Sequence, residues 1–480
     1  MTKMMEGANN NNSIMVGLFS KQLVFRWLVL LLLVCSVSML SACGSSSNSA
    51  GSSNNSSENG GGGTGGGGSN SGSGTKSGVY SQNGGTLTQD GKTYTSTTSN
   101  ESAVYVYGSG TYTLSNGTLS KTGDTTDSSN GDFNGLNAIA LAEGGSTINL
   151  TGCNLSSSAQ GANGAFAYGA NGGATINLDN CTITTTKDSS RGVDATYGGV
   201  INISNSSITT SGAHCAALAS DRYDTDPPKV NADNITGNTS GQGSPGIYCT
   251  GTFVVKNSTF KATGSEAAVI EGTNSITLTD TDLSSTYPAS SNNHGVMIYQ
   301  SMSGDAQGNT GTFTMTGGKL LKTGGGPLLL NTNDEGIFNL KNVTLEADSG
   351  IILESCKCDW TASATNGGIT TFSADDQTMV GDFVVDNYGK ITATFKNGSR
   401  LTGGINNDNA AGIVSLTLNS SSDTWTATKN SYVDILNGVV LFGSTLQNVD
   451  AVAGITIHYG SGTGISGNYT LASGGKLQKD

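Results

Sequence analysis

Three groups of side chains in this sequence have the types and spacing to do chemistry. The first is an acidic run, Asp221-Arg222-Tyr223-Asp224-Thr225-Asp226, closed by Pro227 and Pro228. Asp221, Asp224 and Asp226 offer the hard oxygen donors that calcium takes. Paired carboxylates are also the equipment of sugar-bond hydrolysis, one protonating the leaving oxygen while another activates water. Asp221, Arg222 and Asp224 are therefore the catalytic candidates, and calcium is the one cofactor to look for. The second group is Arg191, His214, Glu266 and His294, each at or near the residue before a small, apolar-flanked position, with Glu271 and Asp305 as further acids. Such a line could face a ligand, and it could equally be solvated surface. The third group is aromatic: Tyr168, Tyr197, Tyr223, Tyr248 and Tyr299 fall near the same point of a recurring pattern. Exposed rings of this kind stack on the apolar faces of sugars, whereas buried ones pack a core edge.

Cysteine chemistry is more restricted. Cys35 and Cys43 belong to an N-terminal targeting segment, which leaves Cys153, Cys181, Cys215, Cys249, Cys356 and Cys358. Cys153 and Cys181 occupy one position of successive repeats, with the parity of Leu155 and Ile183. Both are expected to point inward as small hydrophobes, one above the other, and a disulfide between them would have awkward geometry. Cys356 and Cys358 share one face of a strand, but zinc needs further ligands and the chain has only 3 histidines, so no metal is expected there. Which cysteines pair is left open.

The elements that must position these groups are repeats. Segments 145–155, 173–183 and 199–208 read GSTINLTGCNL, GATINLDNCTI and GVINISNSSI, with later copies at 252–260, 275–283 and 336–345. Between them a small residue opens an apolar strand at Gly164, Gly192, Ala216, Gly246, Ala267, Gly295, Gly326 and Gly350, giving spacings of 28, 24, 30, 21, 28, 31 and 24 residues. Alternating apolar and β-branched residues make half-buried strands, and the Gly and Asn between them suit turns that need positive φ. A unit this small cannot bury its own apolar face, so each coil stacks on the next at about 4.8 Å per rung. Roughly eight clear coils fall between 145 and 353. The fold expected is all-β, a right-handed parallel β-helix. A jelly roll or antiparallel sandwich is the alternative, but it does not explain why one residue class recurs at equivalent positions. Asn180, Asn205, Asn257 and Asn342 share a register before the third strand and should bond from rung to rung. Trp360 and Trp425 read as structural caps of irregular rungs.

Segments 188–199 (DSSRGVDATYGG), 243–248 (GSPGIY) and 296–301 (VMIYQS) resemble bacterial right-handed β-helix surface proteins of pectin-lyase-like architecture, a family of unsettled activity. The stretches 416–425 and 430–433 resemble the C-terminal rungs of autotransporter passenger domains, which are often adhesins. The resemblance covers most of 84–480 and speaks for fold more than activity. Lyases of this fold use Asp-bound calcium to acidify a sugar proton and an Arg or Lys to remove it, which would give Asp221 and Arg222 those roles. Neither Asp375-Asp376 nor His294-Gly295 carries the surrounding motif of polygalacturonases. No membrane barrel follows Asp480, so a lipid would replace that anchor.

The lipid has a place. Lys21 and Arg26 precede an apolar run at 27–40 of signal-peptide length, which falls short of a comfortable membrane span. It ends in Leu40-Ser41-Ala42-Cys43-Gly44, which resembles the bacterial lipobox. Cys43 is the expected lipidation site and the membrane the expected partner; a single uncleaved anchor is the alternative, and Met15 is a candidate start. From 43 to 76 the chain is Ser, Asn and Gly almost throughout, too polar to offset its ordering entropy. As a flexible tether of about 33 residues it would reach roughly 30 Å. The balance of 22 basic to 35 acidic residues, a formal charge of −13, argues against nucleic acid or anionic lipid. The expected organisation is a signal peptide (1–42), a lipidated tether (43–76), a β-helix (77–375) and irregular C-terminal rungs (376–480). The expected role is an exported, outer-membrane or surface-anchored scaffold, adhesin-like or glycan-binding, through Arg191, His214, Asp221, Tyr248, Glu266, Glu271, His294, Tyr299 and Asp305. A polysaccharide lyase or hydrolase, and a purely structural envelope protein, are the alternatives.

Overall fold

The computed structural model describes residues 75–221, 226–288, 294–301, 306–357 and 366–480. The protein is 55% strand and 2% helix, and its strands stack in parallel into a β-solenoid of about 15 turns. As far as Asp382–Val385 a coil has three strand positions. The first strands form a 12-stranded parallel sheet that runs from Ser77–Asn83 to Asp382–Val385. The second and third strands build a 25-stranded sheet. In two coils they run on as single bent strands, Val200–Thr210 and Lys229–Thr239.

The bends explain the asparagines. Asn180, Asn205, Asn257 and Asn342 all have φ between 49° and 52°, and Asn116 and Asn234 join them at 53° and 57°. This is the left-handed region, which asparagine tolerates better than other residues with a Cβ. Asn234 Nδ2 donates to Asn205 Oδ1 at 2.9 Å, and Asn205 Nδ2 donates to Asp179 Oδ1 at 2.8 Å. The rung-to-rung bonding is present in part, on the outside of the turn: Asn205 and Asn257 donate to Asp179 and Asp233 of the preceding coil rather than to one another.

Inside, equivalent residues stack. Tyr112, Ile148, Ile176, Ile201, Val230, Phe253, Ile276, Phe313, Phe338 and Phe372 follow one another across successive second strands, all fully buried. Period-2 alternation puts Thr113, Asn149, Asn177, Asn202 and Asn231 beside them on the outer face. Cys153 and Cys181 are buried free thiols, as their parity required. Trp425 is no cap. It is wholly buried, with Nε1 donating to the Gly403 carbonyl at 3.0 Å. Trp360 lies outside the described residues.

Strand pairing corrects three of the repeat anchors. Leu218 pairs with Ile247, Val296 with Leu329, and Leu329 with Leu353. The residues equivalent to Gly192, Gly246 and Gly295 are therefore Ala217, Leu328 and Ile352, one or two places after Ala216, Gly326 and Gly350. A small-residue rule fails there because Leu328 and Ile352 are buried without being small, and the lengths inserted between coils shift the register. Parallel pairing continues past 375, where Ile369–Asp375 lies beside Lys390–Lys396. The first-strand sheet stops at Asp382–Val385, and a four-stranded parallel sheet ends at Val449–Ala451.

Candidate functional site

The outer face of the first-strand sheet gathers most of the chemistry-bearing residues. Its two outward columns read Tyr105, Leu141, Phe166, Asp194, Ala219, Tyr248, Val269, Met297 and, beside them, Glu143, Tyr168, Thr196, then Glu271 and Tyr299. This face is largely buried. Over Ala140–Glu143, Ala165–Tyr168 and Val193–Thr196 it is covered by a short helix, α1 (Ser128–Asn134), capped by Asp127 and ended by Gly135 at φ 72°. A Cβ on Gly135 would come within 2.6 Å of Leu141 and Phe166, so glycine is what lets the helix lie down on the sheet.

Under α1 lies an ion cluster. Arg191 Nη1 is 2.6 Å from Asp132 Oδ1, Nη2 is 2.9 Å from Asp221 Oδ2, and Nε is 3.4 Å from Asp194 Oδ2. Burial opposes the charge on Arg191, but Asp221, Asp132 and Asp194 together raise its pKa well above the ordinary value. Three carboxylates share one guanidinium, so the set is short of positive charge. Burial first, and then the charge of Asp221, push the Asp194 carboxyl far up. His214 stands nearby at a turn with φ 58°, its pKa lowered by burial and by Arg191.

A second cluster centres on Glu271, wholly buried. Tyr248 and Tyr299 donate to its Oε2 at 2.7 and 2.8 Å, and Ser301 to its Oε1. Next to it Asp334 accepts the Gly311 N–H at 3.0 Å, and burial pushes its carboxyl up to about 7. Glu266 and His294 form a third pair, Oε1 to Nε2 at 3.6 Å. Thus the structure joins Arg191 with Asp221, Tyr248 and Tyr299 with Glu271, and Glu266 with His294. It does not join them into one line. Ala216 and Pro245 occupy the register between Arg191 and Glu266, and His214 is displaced by two residues. Nor is the face an open one: Asp221, Tyr248, Glu266, Glu271, His294 and Tyr299 are all buried, because both sides of the first-strand sheet are packed. Arg222, Tyr223, Asp224, Asp305 and Cys43 lie outside the described residues. Of the calcium candidates, Asp221 is engaged by Arg191 and Asp226 is exposed. Tyr168 packs edge-on against Tyr197, with ring centroids 5.5 Å apart, and the Lys76 ammonium lies 3.8 Å over its ring while pairing with Glu143.

Sequence reasoning passed over Asp132 and Asp194. Asp132 has no sequence signal. Asp194 has one: first strands such as Ala165–Tyr168 and Val296–Tyr299 are apolar at both parities, the mark of a sheet buried on both faces, so any carboxylate there must be buried and partnered.

The open polar surface lies elsewhere, on the second strands. Asn177 Nδ2 donates to Asn149 Oδ1 at 2.7 Å, Asn202 Nδ2 to Asn177 Oδ1 at 2.8 Å, and Asn231 Nδ2 to Asn202 Oδ1 at 2.9 Å. These four amides line a groove of about 500 Å³ together with Asp179, Ser204, Asp233 and Lys256. Comparison of the chain with protein-family models, with curated proteins and with solved structures finds no match in any of the three.

Proposed function

We propose that this protein is an exported lipoprotein, held to the membrane through a diacylglycerol thioether on Cys43, whose β-solenoid serves as an adhesin-like, glycan-binding scaffold at the outer membrane or cell surface. The observation that carries the binding reading is the division of polar groups. Charged groups on the first-strand face are buried and spent on one another, while the middle outward column of the second strands carries Thr113, Asn149, Asn177, Asn202 and Asn231 in successive coils. Uncharged donors and acceptors repeated at about 4.8 Å steps suit a polymer that is itself repetitive and rich in hydroxyls. Many weak contacts along a rigid surface add up, because the scaffold has already lost its conformational freedom. The lipid anchor is supported by the Leu40-Ser41-Ala42-Cys43 motif behind an apolar run.

The test is a panel of soluble polysaccharides in native gels, with reducing-end release measured on the same mixtures, with and without calcium. Retardation by a polymer that is left uncut is the expected result. Release of reducing ends, abolished by Asp221→Ala, would overturn the scaffold reading in favour of a lyase or hydrolase.

A further inference from the structure

We propose that the groove along Asn149, Asn177, Asn202 and Asn231 is the binding site for a single extended strand of a neutral polysaccharide lying parallel to the solenoid axis. The assignment rests on the glycan-binding reading and gives it a place and a substrate class.

An asparagine side chain has two N–H donors and two carbonyl lone pairs. In the ladder each inner amide gives one N–H to the rung before and takes one from the rung after. One donor and one lone pair per rung are left over. The partners fix each side chain's rotamer, so these leftover groups point the same way at every rung and lose little freedom on binding. Asn149, Asn177 and Asn202 are half-buried and Asn231 is exposed, which leaves the amides reachable from solvent. The row is straight, because the second strands pair in register, and it advances by about 4.8 Å per rung. An extended pyranose chain advances by a similar distance per sugar, so successive hydroxyls or acetamido groups can meet successive amides.

The wall selects charge. Asp179 and Asp233 stand beside the amides, two coils apart with Ser204 between them. Asp179 accepts from Ser204 Oγ at 2.7 Å and Asn205 Nδ2 at 2.8 Å, and these bonds hold its carboxyl below the ordinary carboxylate range. These two carboxylates outnumber the one cation of the wall, Lys256, and with a formal chain charge of −13 behind them they repel polyanions such as polygalacturonate. Neutral strands meet no such barrier.

The experiment is affinity electrophoresis of the full-length protein in gels containing hydroxyethyl cellulose, glycol chitin or polygalacturonate, with variants compared at equal loading. Asn177→Ala with Asn202→Ala removes two rungs and should weaken retention by a neutral polymer roughly tenfold, the value of two ordinary hydrogen-bonding sites. Asn202→Trp fills the groove without depending on the ladder and should abolish retention. Thr182→Ala with Ser207→Ala alters an exposed column of the third strands in the same coils, outside the groove, and should leave retention unchanged. A melting curve for each variant shows that the fold persists. Retention of the wild type that both Asn variants keep would overturn the groove and leave the glycan reading standing. A wild type slowed by polygalacturonate alone would overturn the neutral class. A wild type slowed by none of the three would overturn both the groove and the reading on which it rests.

Discussion

Arg191 meets Asp132, Asp194 and Asp221 under one helix, and the numbers decide what the cluster is for. A guanidinium facing three buried carboxylates is a structural tie whose removal strands the acids. Arg191→Leu should destabilise the protein by about 3–5 kcal/mol, read as a lowered melting temperature and loss of amide protection in α1; a variant that melts like the wild type would refute this. Asp334 gives a pH signature. Its carboxyl titrates near 7 in the fold and near 4 when unfolded. Between those values the folded protein holds a proton that the unfolded chain releases, so raising the pH favours unfolding, and above pH 7 the cost reaches roughly 4 kcal/mol. Asp334→Asn keeps an acceptor for Gly311 and should flatten the fall in stability between pH 4 and 7. A variant with the wild-type pH profile would show that another group carries it.

Elements in this fold are stabilised by their neighbours along the axis. Phe313 stacks on Phe338 with ring centroids 6.2 Å apart, and both are wholly buried. Phe313→Ala should cost roughly 3–5 kcal/mol. Because each coil contacts only the coils beside it, hydrogen exchange should speed up in Ser275–Thr279, Thr312–Thr316 and Ile337–Lys341 and stay slow in Ala174–Asp179. Uniform loss of protection would contradict this nearest-neighbour picture. The same locality explains what could be read in advance. Inward columns, asparagine bends and the cysteine parity are properties of a single repeat, and repetition makes them visible in the sequence. Anchors such as Leu328 and Ile352 were misplaced because inserted lengths shift the register without changing composition. The burial of Tyr248, Glu271 and Tyr299 was not legible either. Spacing shows that residues share a line along the solenoid, but not whether the rest of the chain covers that line. The Asn149-to-Asn231 row lay in plain view in the repeats, and its meaning depended on which parity faced outward.

For the whole molecule, the anchor and the binding surface make separate claims. Cys43→Ser should move the protein from the membrane to the soluble exported fraction while leaving its melting temperature unchanged; a variant that stays in the membrane would speak for an uncleaved apolar span instead. The central claim, that successive rungs read successive sugars, is tested most directly by calorimetric titration with neutral oligosaccharides of increasing length. Affinity should climb with each added sugar until the oligomer spans the four amides from Asn149 to Asn231, and then level off. Affinity that is the same for a disaccharide as for a hexasaccharide would contradict it.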